Sequence, residues 1–318
     1  MVGPDSYILM PQQENLPPRR SGRLLKKFLR WFLAIAGGLV GLVLVAFAVI
    51  YLYVGHRLDT VHDIAGETLR VPEDAASVAA GERLARLRGC MGGCHGRETG
   101  GNVFFEVPDG SAVIAPDLGL IAAEYSVAEL ERAIRHGIRP DGTTVLGIMP
   151  SSMFSGLSDD DTASIIGFLK SRPPGDEAFP ASSFGPLLRT MMLFYAWQFD
   201  WDAFPAETIQ HDVPHPDSVD ANSPGRGRYL ATTVCTECHG DDLRGSPDGE
   251  MPSLAIVVAY SRDDFATLMK TGTPIGGREL DLMKTVAVNR FAYFTEAEVD
   301  DLHAYLLTLA SDIPQEDL

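Results

Sequence analysis

All four cysteines of the chain fall in two short segments, Cys90-Met-Gly-Gly-Cys94-His95 and Cys235-Thr-Glu-Cys238-His239. The second reads C-x-x-C-H, the pattern in which two thiols add to the vinyl groups of one porphyrin while the adjacent imidazole faces the iron. Thiols three residues apart share one helical turn, so the spacing carries the chemistry. A redox dithiol or half of a zinc site also begins with C-x-x-C, but neither accounts for the His239 and Gly240 that come directly after it. The first segment is one residue longer, C-x-x-x-C-H, and needs a bulged turn to present both sulfurs. A disulfide is its alternative. The His95 and Gly96 after Cys94, and flanking segments that repeat those of the second cluster, favour a second covalent haem.

The elements that must hold these groups recur in one order in both halves of the chain. In the first half they are Gly81-Glu-Arg-Leu, the cysteines, Ala-Pro116-Asp-Leu, Ser126-Val-Ala-Glu129, Gly-Ile-Met149-Pro150, and Ser158-Asp-Asp-Asp161 before a closing apolar helix. In the second they are Gly227-Arg-Tyr-Leu, the cysteines, Met-Pro252-Ser-Leu, Ser261-Arg-Asp-Asp264, Leu-Asp-Leu-Met283, and Thr295-Glu-Ala-Glu298 before another. Ser126/Glu129 and Thr295/Glu298 have the spacing of capping boxes and mark helix starts. The closing helices carry apolar residues at helical spacing, Ile165, Ile166, Phe168 and Leu169 in one and Val299, Leu302, Tyr305 and Leu306 in the other. Such a face packs on the first helix of each half.

This arrangement resembles the small all-helical cytochrome c domain of bacterial electron-transfer proteins, over roughly residues 75–172 and 220–312, joined by a linker over 173–219. The resemblance implies an all-α fold with two tandem domains. It implies that two covalent c-type haems are held by Cys90, Cys94, Cys235 and Cys238, with His95 and His239 as proximal iron ligands. Met149 and Met283 match the position of the sixth ligand, with Met153 and Met269 as their rivals; a methionine outside such a site is ordinarily core filling. It further implies that the carbonyls of Pro116 and Pro252 accept hydrogen bonds from His95 and His239, which fixes the ring orientation as outer-shell partners do. His136, His211, His215 and His303 are not assigned to metal: His136 ends a predicted helix, where a helix-terminal charge explains it, and His303 reads as solvated. His211 and His215 lie in a Pro/Asp-rich stretch.

Ahead of these domains, Trp31–Val54 carries no formal charge. As a helix rising about 1.5 Å per residue it covers a hydrocarbon core of about 30 Å. Residues 1–30 contain six basic residues, from Arg19 to Arg30, and read as a basic cytoplasmic tail. Residues 31–54 then read as an inner-membrane anchor that places both haem domains in the periplasm. A cleaved signal is the alternative, but the Ala46-x-Ala48 pair lies inside the apolar run. The linker holds an apolar stretch, Leu187–Phe199, expected to wedge between the two domains; the alternative is a patch for a membrane or a partner subunit.

The net charge is −17, with 26 Lys+Arg against 43 Asp+Glu. An excess of acid on this scale argues against a nucleic-acid partner, which wants a basic patch, and suits steering of a basic redox partner equally with plain solubility. An iron whose two axial positions are filled by protein leaves one-electron transfer as its chemistry, and two such centres make a relay. His/Met ligation raises the potential, which suits transfer from a quinol-oxidising complex or a dehydrogenase to a terminal oxidase. The resemblance extends to dihaem subunits of haem–copper oxidases and to cytochrome subunits of alcohol and sugar dehydrogenases, the latter typically with three haems. A dihaem peroxidase with one open iron is the enzymatic alternative. A haem sensor would want an output domain.

Overall fold

The computed structural model describes residues 21–175, 179–199, 203–220, 225–246 and 249–311. Residues 1–20, with Arg19 and Arg20 of the expected tail, and residues 221–224 and 312, at the borders of the expected second domain, lie outside them. The chain divides into two units, residues 1–49 and 50–318.

Within the first unit the described residues belong to α1 (Ser21–Leu58), a helix whose apolar side chains there are exposed, Leu44 by 64%. The stretch Arg23–Leu58 is long and apolar enough to cross a membrane.

The second unit opens with the last turns of α1 and a segment leading to α2 (Ala75–Leu87), whose start is capped by Asp74 accepting from Ser77 N at 3.0 Å. After the first cysteine segment come β1 (Gly100–Glu106) and β2 (Ala112–Asp117), paired antiparallel with Gly100 opposite Asp117 and a bulge between Val103 and Phe105. This hairpin stands where only a Pro-containing loop was expected. Its turn holds Pro108-Asp109-Gly110, a turn-forming triplet, with Gly110 at φ 82° and Asp109 accepting from Ser111 N. Helices α3 (Leu118–Glu124), α4 (Val127–Arg135), α5 (Ser151–Phe154) and α6 (Asp159–Ser171) complete this region. The box at α4 is reciprocal: Ser126 N donates to Glu129 Oε2 at 2.8 Å and Glu129 N to Ser126 Oγ at 3.2 Å.

Helix α7 (Pro186–Phe199) is the apolar part of the linker. It does not wedge between the haem regions. Leu188 and Met192 pack in a separate core with Val54, Val107, Val113 and Phe204, against the last turns of α1 and the hairpin, while Phe194 and Tyr195 remain exposed. The side chains of residues 197–199 lie outside those described. Past the linker, α8 (Arg226–Val234), α9 (Thr236–His239), α10 (Arg262–Thr271), α11 (Asp281–Asn289) and α12 (Glu296–Ser311) repeat the earlier plan, with no hairpin among the described residues. The Thr295/Glu298 box is formed, with Thr295 N to Glu298 Oε2 at 2.8 Å.

First and last helices of each region cross at a glycine. A Cβ on Gly81 of α2 would run into Ser164 O of α6, and one on Gly227 of α8 into Asp301 O of α12. The missing side chain lets the backbones approach, which is why the repeat carries Gly at both places. Apolar residues of the crossing helices, Ile165, Ile166 and Phe168 in one region and Val299, Leu302 and Leu306 in the other, are buried in two separate cores.

Candidate haem-attachment sites

The extra residue of the first cysteine segment is taken up as a local bulge. Cys90–Cys94 forms a wide turn in which Met91 is extended (φ −114°, ψ 157°) and Gly92 is left-handed (φ 78°, ψ −14°). Met91 turns inward and is 1% exposed; Gly92 N donates to Gly96 O at 3.0 Å, closing the loop. The residue after Met91 must adopt positive φ, which glycine does without cost. His95 comes next with its ring buried and Nδ1 donating to Pro116 O at 2.8 Å. That contact leaves Nε2 as the ring's free ligand atom.

Cys90, His95 and Met149 line one cleft of about 380 Å³, whose walls include Leu118, Ile134 and Phe154. Met153 is packed into the core of this region and does not line that cleft. In the second region Cys235 ends α8, Cys238 and His239 lie on the single turn of α9, and His239 Nδ1 donates to Pro252 O at 2.8 Å. Cys235, Cys238 and Met283 line a cleft of about 360 Å³ with Val286 and Phe291. Met269 is core. Met251, which the sequence did not single out, also lines this cleft because it precedes Pro252 on the loop that holds His239.

Arg290 was not legible from the sequence as part of either site. It sits just past α11, donates from Nη1 to Glu237 Oε2 at 2.9 Å and from Nε to Leu87 O at 3.3 Å, and lies against Gly89, next to Cys90. Its positive charge acts on all four thiols. Two further contacts tie the regions together. Tyr229 of α8 donates to Asp161 Oδ2 at 2.7 Å, and Arg83 of α2 pairs with Glu298 at 2.8 Å.

The donor set fits a covalently held haem and does not fit thiol exchange. Burial, against the weaker opposing pull of Arg290, pushes the Cys90 thiol up to about 11 and the Cys235 thiol up to about 12. Exchange-active cysteines need the reverse shift. Burial also lowers His95 and His239, against their Pro carbonyl bonds, and favours the neutral rings that ligate iron. Beside the first cleft, Arg88 is buried with Nε and Nη1 lacking protein partners, and Arg290 Nη2 is likewise unpartnered at the second. Buried donors of this kind fit an acidic group carried by a bound cofactor.

Comparison with known proteins agrees with this geometry. The cytochrome c family model matches residues 78–173 and 225–310. The chain is 29% identical over 280 residues to the cytochrome c subunit of the alcohol dehydrogenase (quinone) of Gluconacetobacter polyoxogenes, covering 75% of this chain and 56% of that protein. It is 24% identical over 259 residues to the fructose dehydrogenase cytochrome subunit of Gluconobacter japonicus, covering 72% and 52%. With a diheme cytochrome c-type protein of Cereibacter sphaeroides it shares 25% over 206 residues, covering 58% and 66%. The chain thus spans about half the length of the dehydrogenase subunits it matches. Two matched regions, each with one cysteine–histidine segment and one cleft, identify the chain as a member of the cytochrome c family, an electron-transfer protein with a covalent c-type haem for each region.

Proposed function

We propose that the chain is the membrane-tethered, periplasmic electron-transfer subunit of a dehydrogenase system, taking electrons released by oxidation of an alcohol or sugar and passing them singly towards a respiratory acceptor. In this reading Cys90 and Cys94 hold one haem and Cys235 and Cys238 the other. His95 with Met149, and His239 with Met283, would hold the two irons. A haem so ligated supplies reversible one-electron chemistry; the protein supplies ring orientation through Pro116 and Pro252, exclusion of water by apolar walls, and a fixed separation between the centres. The observation that carries the reading is the placement of both cysteine segments around the Arg290 guanidinium. Electrons entering at one site have the second within the same packed unit.

The choice of a dehydrogenase as donor rests on relatives named as cytochrome subunits of alcohol and fructose dehydrogenases. Tethering rests on the length and apolarity of Arg23–Leu58. The test is fractionation and then substrate-driven reduction. The haem-bearing chain should stay with membranes through a salt wash, leave with detergent, and be reduced in membranes supplied with the dehydrogenase's substrate. A chain released by salt, or unreduced by any alcohol or sugar while dithionite reduces it, would overturn the tether or the donor respectively.

A further inference from the structure

We propose that Glu131, His136 and His215 bind one divalent transition-metal ion of the Zn²⁺ type, at a place separate from both haem clefts. Each of the three offers a ligand atom, and those atoms lie within 4.8 Å of one another. Two histidines and a carboxylate form a donor set common for zinc.

The hydrogen bonding around His136 argues for a cation at that point. His211 Nε2 donates to Ala206 O at 2.9 Å, so its Nδ1 carries a lone pair. His136 Nδ1 faces that lone pair at 2.9 Å and therefore carries a proton. With that single proton on the ring, the second nitrogen, Nε2, points a lone pair at Glu131 Oε1, 3.5 Å away, where acceptor meets acceptor. A cation between His136 Nε2, Glu131 and His215 resolves this clash. It leaves His136 oriented through Nδ1–H to His211, the arrangement in which a ligating imidazole is fixed by its other nitrogen.

Charge points the same way. The buried guanidinium of Arg135 is ringed by three carboxylates, Glu131 at 2.7 Å, Asp159 at 2.7 Å and Glu67 at 3.1 Å. One positive charge thus faces three negative ones beside the histidines.

The site joins distant parts of the chain. Glu131 lies within α4 and His136 caps its C-terminus, while His215 comes from the linker, whose backbone is pinned to the first haem region by Asp159 N to Pro216 O and Asp160 N to Asp217 O, each 3.0 Å. A bound ion would clamp the linker to that region.

The experiment uses the purified dihaem protein, stripped with a chelator and dialysed against ZnCl2 alone near neutral pH, with zinc counted by mass spectrometry and affinity measured by calorimetry. One tight equivalent per chain is expected, weakened at least tenfold in H136Q and in H215Q, with haem spectra unchanged. H211A should weaken binding by about 10–100-fold, as loss of an orienting partner does. His215 lies half-exposed on the linker, so H215Q keeps the test valid should H136Q fail to fold. Equal zinc uptake by wild type and H215Q, or no tight equivalent in wild type, would overturn the proposal and leave His136 as a doubly protonated ring against Glu131.

Discussion

The guanidinium of Arg290 reaches across to the carbonyl of Leu87, 3.3 Å from Nε, and so ties the turn after α11 in one cytochrome region to the helix that leads into the cysteines of the other. The same charge lines the second cleft. A positive charge beside a redox centre disfavours the oxidised, more positive state. Arg290→Gln should therefore lower the midpoint potential of both centres, by roughly 20–70 mV for an interaction of about 0.5–1.5 kcal/mol at the 59 mV per tenfold of a one-electron couple. Arg290→Lys should retain most of the potential. Spectroelectrochemical titration reads both, and unshifted potentials in Arg290→Gln would remove Arg290 from the redox account.

Tyr229 ties the regions together by a different bond. Its hydroxyl donates to Asp161, and burial, together with Asp161 and against the pull of Arg88, pushes its phenol up to about 12. The unfolded chain loses this proton near its ordinary value of 10.0 while the fold keeps it. Stability from this group is thus complete below about pH 10 and falls as pH rises towards 12. Tyr229→Phe should cost about 1 kcal/mol at neutral pH and flatten that alkaline decline relative to wild type. Denaturant melts at several pH values check the sign; a parallel decline in both proteins would refute it.

The two methionines of the first region should separate cleanly. Met149 lines the cleft with Cys90 and His95, whereas Met153 is core. Met149→Ala should open one iron to carbon monoxide with little loss of fold. Met153→Ala should leave the iron closed and cost about 2–4 kcal/mol by cavity formation. Met283→Ala and Met269→Ala should divide in the same way in the second region. Reduced-state spectra with carbon monoxide decide it, and an open iron in Met153→Ala would exchange the roles.

The bulge of the first cysteine segment has its own signature. A Cβ on Gly92 meets nothing within 4 Å, so alanine there is opposed only by the positive φ. Gly92→Ala should lower stability by about 1–2 kcal/mol while both haems remain attached, as counted by intact mass. Unchanged stability would mean that the segment has another conformation in the haem-loaded protein.

Much of this architecture was legible in residue types. The repeated Gly81 and Gly227 segments and the Ser126/Glu129 and Thr295/Glu298 boxes depend on short-range pattern repeated twice, which a sequence displays directly, whereas the roles of the Pro116 and Pro252 carbonyls followed from the family resemblance. What escaped depends on long-range packing. The hairpin grew from a short alternation, Val103 to Phe105, with a bulge that breaks its period. The place of α7 was hidden because an apolar run names no partner; Val54 and Val107 are far from it in sequence. The meeting of His136 with His211 and His215 is created by docking of an irregular linker, and no spacing announces it. Arg290 likewise acquires its role only where two regions meet.

The central claim is that two covalent haems sit in this chain with both irons closed by protein ligands. The most direct measurement is a pyridine haemochrome assay with intact mass on detergent-extracted protein, and then reduced spectra with and without carbon monoxide. The account predicts two haems per chain and spectra that carbon monoxide does not alter. A single haem would make the Cys90 segment structural, and rapid carbon monoxide binding by the wild-type protein would contradict the closed relay.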